Sequence, residues 1–297
     1  MFACDEAYAM PLATTLRSIV ETNASNWPLE FHVLSDDFSE CTRARIVNSL
    51  PKGSATIRCV PVGLNLFREF STLRHISKVT YARLLIARVF PATVSRVLYL
   101  DADLLVLNAL GPLWEIDLDG AVVGAVSDMG PAINAGAPGS EDVPQVRDYF
   151  NAGVLLIDLS LWRQKRVSEI ALEYLARHPQ SPFSDQDALN VACDTLWKKL
   201  DPRWNFQVRG GTRISDLHPD QRPWIVHFIM GSKPWNASAR SYNAVFYDAF
   251  RSRTRFARTR GEKLRDMFRR NWAGLRNVLK RRRLLSNVVG ITRHSAR

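Results

Sequence analysis

Two aspartates one residue apart, Asp101 and Asp103, interrupt a run of β-forming residues that begins at Arg96. A continuous apolar run of this kind predicts a strand that is buried on both faces. Carboxylates at its end are costly to bury without a positive partner, and their hard oxygens suit Mg²⁺ or Mn²⁺. Because ligands bind at the carboxyl ends of strands in open α/β sheets, the spacing predicts a metal site. The alternative is a pair of solvated strand-end aspartates.

Three basic side chains elsewhere extend this chemistry. His227 follows an apolar strand pattern and would add a nitrogen ligand, although a lone histidine there is more often structural. Lys233 lies in a proline-stiffened turn, where its ammonium can neutralise phosphate. Arg83, on a predicted helix ahead of the aspartates, can pair with a phosphate or with Asp185. This combination favours a diphosphate held by a metal and a lysine.

Short polar motifs at the ends of predicted helices and strands add candidate residues for binding the parts of a ligand other than its diphosphate. In the stretch 184–187, Ser184 and Asp187 fit a capping box, which leaves Asp185 and Gln186 projecting from the first helical turn. The sequence Asn-Ala-Gly at 151–153 predicts a small turn that a ligand can approach closely. At the first strand's end, Asp5 and Glu6 stand where doubly wound folds contact nucleotides.

Helical and strand patterns alternate along the body, which predicts βαβ units and a mostly parallel sheet. No GxxxxGK[ST], GxGxxG or G-x-S-x-G motif occurs. The candidate metal ligands and the candidate phosphate-binding lysine together indicate metal-dependent transfer from a nucleotide-activated donor. The first strand is unusually short, so we expect that it is clipped. Strands are predicted at 1–4, 31–34, 55–60, 96–107, 121–127, 151–159 and 224–229, and helices at 10–21, 39–50, 80–90, 161–177 and 184–196. A long loop is predicted at 129–144.

The net charge of +11 is concentrated at the C-terminal end. Residues 251–297 carry 16 Lys/Arg and two acidic residues, which leaves 24 basic and 27 acidic residues in the first 250. We therefore divide the chain into a body, 1–242, and a basic amphipathic tail, 243–297. Apolar residues recur in the tail at spacings of three and four, which favours an anionic membrane surface over nucleic acid or a solvated arm. These residues are Leu264, Phe268, Trp272, Leu275 and Leu279.

The spacing of the cysteines indicates a reducing compartment. Cys4, Cys41, Cys59 and Cys193 are far apart, and the first residues lack the pattern of a secretory leader. We expect four free thiols, and a location in the cytoplasm at the inner face of the cytoplasmic membrane.

Six motifs follow one another along the chain: FACDEAYA, RHISKVTYARLL, VLYLDADLLVL, YFNAGVLLIDLSLW, SDQDALN and VHFIMGSKPW. Their order resembles glycosyltransferase family 8, in its bacterial lipooligosaccharide and lipopolysaccharide galactosyl- and glucosyltransferase branch. The likeness runs from Phe2 to Trp235. It implies a GT-A fold with one Rossmann-like domain, Mn²⁺ (or Mg²⁺) as cofactor, and retaining transfer from UDP-galactose or UDP-glucose to a saccharide or lipid-linked glycan.

The resemblance also implies roles for individual residues. Asp101, Asp103 and His227 would be metal ligands, and Gln186 and Asp185 would lie at the reacting carbon. His75 and Asp128 would contact the acceptor, with the 129–144 loop closing over both substrates. Donor contacts would come from Ala3, Asp5, Tyr8, Arg83, Asp101, Ala102, Asn151, Ala152, Gly231 and Lys233.

Two other interpretations share parts of the pattern. Phosphatases of the haloacid dehalogenase type also carry D-x-D after a strand, but near the domain start and with Thr or Val where this chain has Leu105. A degenerate transferase body could instead serve as a membrane adaptor. Such an adaptor would be expected to lack a metal ligand or Gln186, and the chain retains both.

Overall fold

A computed structural model describes residues 1–23, 28–35, 38–63, 78–128, 144–208, 212–229, 233–236 and 243–265. Strands and helices alternate through these ranges, as the predicted α/β class requires. The strands are β1 (Phe2–Ala3), β2 (Leu29–Leu34), β3 (Ala55–Val60), β4 (Arg96–Leu100), β5 (Leu104–Val106), β6 (Val123–Ser127), β7 (Phe150–Asp158), β8 (Trp197–Lys199), β9 (Phe206–Gln207) and β10 (Ile225–His227). The α-helices are α1 (Ala9–Thr22), α2 (Glu40–Val47), α3 (Ile86–Val89), α4 (Gly111–Trp114), α5 (Leu159–Gln164), α6 (Val167–Arg177), α7 (Asp185–Ala192) and α8 (Ala244–Arg251).

The central sheet consists of two ladders, β3-β2-β1 and β4-β7-β6-β8. The Leu100 amide donates to the Met1 carbonyl (2.9 Å), which places β1 beside β4 and joins the ladders. Strands β1, β2 and β3 run parallel, as do β6 and β8. Only β7 is antiparallel to its neighbours, β4 and β6, among the strands of these two ladders.

Side chains of the central strands alternate between two buried clusters, one on each face of the sheet. Val97 and Tyr99 pack with residues of α6 and α7, whereas Leu100 packs with α1. Because both faces are covered by helices, the strand needs apolar residues at successive positions. This packing explains the uninterrupted run in the sequence.

The apolar run 96–107 is two strands in two sheets. The chain leaves the central sheet after Leu100, turns through Asp101–Asp103 and enters a small second sheet, β5-β10-β9. In that sheet β5 pairs antiparallel with β10, and Leu104 lies opposite His227. The aspartates therefore sit at the junction of the two sheets, next to the histidine.

Three local predictions need correction. The helix predicted at 161–177 is two helices, α5 and α6, because Arg166 adopts a left-handed conformation (φ 55°) between them. Residues Lys78–Leu85 form a 3-10 helix ahead of α3, where an α-helix was predicted. The Asn-Ala-Gly stretch is the start of β7 and not a turn.

The first part of the predicted tail packs against the body. Tyr247 of α8 is fully buried beside Phe228, and its hydroxyl donates to the Met10 sulfur (3.4 Å). Further on, the Arg45 guanidinium lies 4.0 Å above the ring of Phe256. Residues 266–297 lie outside the described part of the chain. Among the described helices, none is long and apolar enough to span a membrane.

Candidate active site

Asp101, Asp103 and His227 converge where the two sheets meet. Each contributes one potential ligand atom, and the three atoms lie within 4.8 Å of one another. The Nε2 atom of His227 is 3.7 Å from Asp101 Oδ2 and 3.3 Å from Asp103 Oδ1. The sequence therefore identified three residues that the fold brings together.

Asn205 determines which nitrogen of His227 faces the aspartates. Asn205 donates through Nδ2 to the Asn151 side-chain oxygen (2.8 Å), so its own oxygen lies 2.9 Å from His227 Nδ1. An amide oxygen only accepts, and therefore Nδ1 carries the proton. The lone pair of Nε2 then points towards the two carboxylates, as a metal ligand requires.

Asp103 has one engaged oxygen and one that suits a cation. Its Oδ2 accepts from the Lys233 ammonium, whereas Oδ1 is buried with no hydrogen-bond partner among the residues that the structure describes. Burial by itself raises the pKa of Asp103, but Lys233 and His227 together outweigh it, and the net pKa lies well below the usual range. An ionised oxygen 3.3 Å from an imidazole lone pair is favourable when a cation lies between them. Two carboxylates and one imidazole fit Mn²⁺ or Mg²⁺.

Gly153 leaves the space that the His227 ring occupies. A Cβ at this position would lie 2.2 Å from His227 Cε1, 2.7 Å from Nδ1 and 2.9 Å from Asp101 Oδ2. These separations are far inside van der Waals contact. The close approach of the ring thus requires glycine at position 153. The cluster of Asp101, Asp103 and His227, which we call the metal triad, therefore depends on a residue that has no side chain.

Arg83 joins the metal triad to the start of α7. Its Nε lies 2.6 Å from Asp185 Oδ2, and its Nη2 lies 3.2 Å from Asp101 Oδ1. Its Nη1 donates to the Ala152 carbonyl (2.7 Å). Burial raises the pKa of Asp185, and the guanidinium partly offsets that shift. The forked guanidinium fixes two carboxylates that a single-point lysine could not.

Gln186 and Asn151 share the carboxylate of Asp128. Gln186 Nε2 and Asn151 Nδ2 both donate to Asp128 Oδ2, at 3.1 and 3.0 Å. The Gln186 side-chain oxygen accepts from the Ala152 amide (3.0 Å). These bonds define the orientation of both amides, so the polar groups at the start of β7 and of α7 form one network.

Asp187 holds the loop before α7. Its carboxylate accepts from the hydroxyls of Tyr149 and Ser181 and from the Phe183 amide (2.9 Å). Ser184 makes no side-chain cap bond, so the predicted capping box is not formed. Burial raises the pKa of Asp187, and its three donors partly offset this.

Comparison with known proteins identifies the family. The glycosyl transferase family 8 model matches residues 1–239. The chain belongs to glycosyltransferase family 8. Membership excludes the phosphatase interpretation. GlyF of Streptococcus pneumoniae is 32% identical over 80% of this family 8 chain, which spans 56% of GlyF. Lipopolysaccharide 1,3-galactosyltransferase of Salmonella typhimurium is 27% identical, over 80% of this chain and 72% of that protein.

A solved structure supports the same conclusion. Galactosyltransferase LgtC, in complex with donor and acceptor sugar analogues, matches with a TM-score of 0.74 and 29% identity. The match covers 85% of this chain and 95% of LgtC. The predicted GT-A fold and the resemblance to the lipopolysaccharide transferases are thereby confirmed.

Several residues that the resemblance assigns to the donor's nucleotide end lie in the described part of this family 8 chain. Asp5 accepts from the Tyr8 amide (3.2 Å) and caps a 3-10 turn after β1, where Ala3 ends the strand. The Tyr8 ring packs edge-on against Trp235, with centroids 6.1 Å apart. The Ala102 carbonyl accepts from Thr15 (2.8 Å). Their contacts with a donor stay predictions. His75 and Gly231 lie outside the described residues, as do residues 129–143 of the loop predicted at 129–144.

Sequence reasoning missed Asn205 and Tyr99, and it did not assign Gly153 to the site. The Tyr99 hydroxyl donates to Asp101 Oδ1 (2.8 Å), although the residue reads as one more β-former. Asn205 ends a 3-10 turn with no motif around it. Gly153 had a signal, since small residues allow close approach, but a side chain approaches there.

Proposed function

We propose that the chain transfers galactose or glucose from a UDP-sugar to a saccharide, with retention of anomeric configuration and with Mn²⁺ or Mg²⁺ as cofactor. One observation carries the proposal: the Asp101–Asp103–His227 triad, with the Lys233 ammonium on Asp103. Family membership and the lipopolysaccharide transferases among the relatives support the reaction class.

The diphosphate end of the donor would be bound by the triad and by Lys233. Asp101, Asp103 and His227 would hold the metal, which when bound supplies Lewis-acid stabilisation of the negative charge on departing UDP. Lys233 also donates to the Phe228 carbonyl, so its ammonium is held at the strand end beside Asp103. There it adds a second positive charge for the leaving group.

The sugar end would be bound by Arg83, Asn151 and Asp185, whose polar atoms surround the start of β7. Gln186 would lie beside the anomeric carbon. A side-chain amide is a weak nucleophile, so we infer that its dipole stabilises a developing oxocarbenium ion. The leaving phosphate would take the acceptor proton on the same face, consistent with retention.

The acceptor end and the tail complete the proposal. Asp128 and His75 would orient an acceptor, which we take to be a lipopolysaccharide core or another lipid-linked glycan. The tail would bind anionic lipid at the inner face of the cytoplasmic membrane, because each basic residue near such a surface contributes about 1 kcal/mol. Its aromatic and leucine stripe would lie in the interface.

The proposed activity is tested by UDP release from a panel of UDP-sugars, with and without Mn²⁺. We expect metal-dependent release from UDP-galactose or UDP-glucose, and a loss of at least about 100-fold in the Asp103→Asn variant, which replaces a charged metal ligand with a neutral amide. Asp119→Asn is the matched control, because Asp119 pairs with Lys198 on the surface and sits at φ 51°, which asparagine tolerates. Absence of release from every UDP-sugar would favour the adaptor interpretation.

A further inference from the structure

A directed chain of hydrogen bonds links the metal triad to the reacting end of the site. It begins at His227 Nδ1, which donates to the Asn205 oxygen (2.9 Å). Asn205 Nδ2 donates to the Asn151 oxygen (2.8 Å), and Asn151 Nδ2 donates to Asp128 Oδ2 (3.0 Å). Gln186 Nε2 donates to the same Asp128 oxygen (3.1 Å). Each link has one donor and one acceptor. Rotating one of the side-chain amides by 180° would therefore place donor against donor or acceptor against acceptor at its contacts.

We propose that Asn205 is a positioning residue that sets the geometry of both ends of the site together. On its oxygen side it holds the His227 ring with Nε2 towards the aspartates. On its nitrogen side it fixes the amide of Asn151, which the proposed function assigns to the donor sugar. The inference rests on that proposed function. Asn205 needs to touch neither the metal nor the sugar.

The surroundings make Asn205 a fixed support. Its exposed fraction is 1%, and His227 and Asn151 are also buried. It ends the 3-10 turn Pro202–Asn205, whose first turn is closed by Asp201 accepting from the Arg203 amide (2.9 Å). The Asn151 oxygen additionally accepts from the Gly153 amide (3.0 Å), so rotating the Asn151 amide would cost three hydrogen bonds, including the one to Asp128. A support on rigid backbone is what precise positioning of ligands requires.

Two variants separate the two sides of Asn205. Asn205→Asp keeps an oxygen acceptor for His227 Nδ1 but faces the Asn151 oxygen with a second acceptor, so the hydrogen bond on the metal side is kept and the one on the sugar side is lost. Asn205→Leu has a similar volume and removes both bonds. We expect Mn²⁺ affinity within about threefold of native in Asn205→Asp with kcat reduced at least about tenfold, and Mn²⁺ affinity reduced about 10- to 100-fold in Asn205→Leu.

A remote asparagine provides the control. The Asn23 side chain also donates and accepts: it donates to the Ile19 carbonyl and the Thr22 hydroxyl, and it accepts from the Leu110 amide. It caps the far end of α1, about 20 Å of helix from the Tyr8 side. Asn23→Leu should lower thermal stability with unchanged Mn²⁺ affinity and kcat.

The measurements are Mn²⁺ titration followed by electron paramagnetic resonance, steady-state UDP release, and thermal unfolding by circular dichroism. If Asn205→Leu does not fold, Asn205→Asp alone decides. The inference is overturned if both folded Asn205 variants keep native Mn²⁺ affinity and native kcat. It is also overturned if Mn²⁺ affinity and kcat of Asn205→Asp fall together, in step with the loss of thermal stability. Failure of the native protein to bind Mn²⁺ or to release UDP would instead count against the proposed function.

Discussion

Replacement of Gly153 by alanine tests the geometry of the metal triad with a single methyl group. The backbone at Gly153 does not have a positive φ, so alanine is compatible with the strand and the effect is steric. The added Cβ would lie 2.2 Å from His227 Cε1, the closest of its contacts. Carbon atoms prefer separations of about 3.5–4.0 Å, so ring and methyl group must separate by more than about 1 Å.

The surroundings decide what such a displacement costs. The His227 ring is held by Asn205 at Nδ1, and β7 is bonded to β4 and β6 on both sides. Overpacking in a rigid core costs about 1–3 kcal/mol. Losing the Nδ1 bond and shifting Nε2 away from Asp101 and Asp103 would reduce Mn²⁺ affinity at least as much as an outer-shell substitution does, about 10- to 100-fold.

Gly124→Ala is the matched control. Gly124 lies in the same sheet, and its added Cβ would lie 2.9 Å from Leu118 Cδ2 and 3.1 Å from Leu200 Cδ2, away from the triad. Urea unfolding and Mn²⁺ titration are measured for both variants. We expect both to be destabilised and only Gly153→Ala to lose Mn²⁺ affinity. Equal Mn²⁺ affinity in the two variants would refute the requirement for a close ring approach.

Two further predictions concern the loop before α7 and the C-terminal segment. Because burial raises the folded-state pKa of Asp187, its contribution to stability is greatest below the ordinary pKa of about 3.9 and is lost as pH rises through the raised value. The native protein's advantage over Asp187→Asn in urea should therefore shrink as pH rises, and a constant difference would contradict this. Deleting 266–297 should abolish sedimentation with anionic vesicles while sparing UDP release, whereas deleting 243–297 should also lower stability through loss of buried Tyr247. Vesicle binding that survives both deletions would exclude the tail as the anchor.

The parts of the fold that follow from hydrophobic pattern were predictable. Strand β3 has the predicted bounds, and α1 differs by one residue at each end, because their apolar positions alone decide which face is buried. The run 96–107 was harder, since one apolar stretch can serve two sheets in succession. Only the pairing of β5 with β10 shows where the first strand ends.

The candidate site also contains residues that could be predicted from the sequence and residues that could not. The chemistry of the site was predictable from residues whose side chains carry charge or metal-ligand atoms, and the fold brings these residues together. They are Asp101, Asp103, His227 and Lys233. Asn205 could not be predicted, because its role comes from lying between two distant segments. The break at Arg166 was also hidden, since a left-handed arginine has no sequence signature.

The metal–diphosphate site is tested most directly by counting the Mn²⁺ ions bound per chain in the presence of UDP, by electron paramagnetic resonance at neutral pH. We predict one tightly bound ion in the native protein and in Asp119→Asn, and a large loss of affinity in Asp103→Asn. Native-like Mn²⁺ binding in Asp103→Asn, or no UDP-dependent binding in the native protein, would contradict a metal–diphosphate site at the junction of the two sheets.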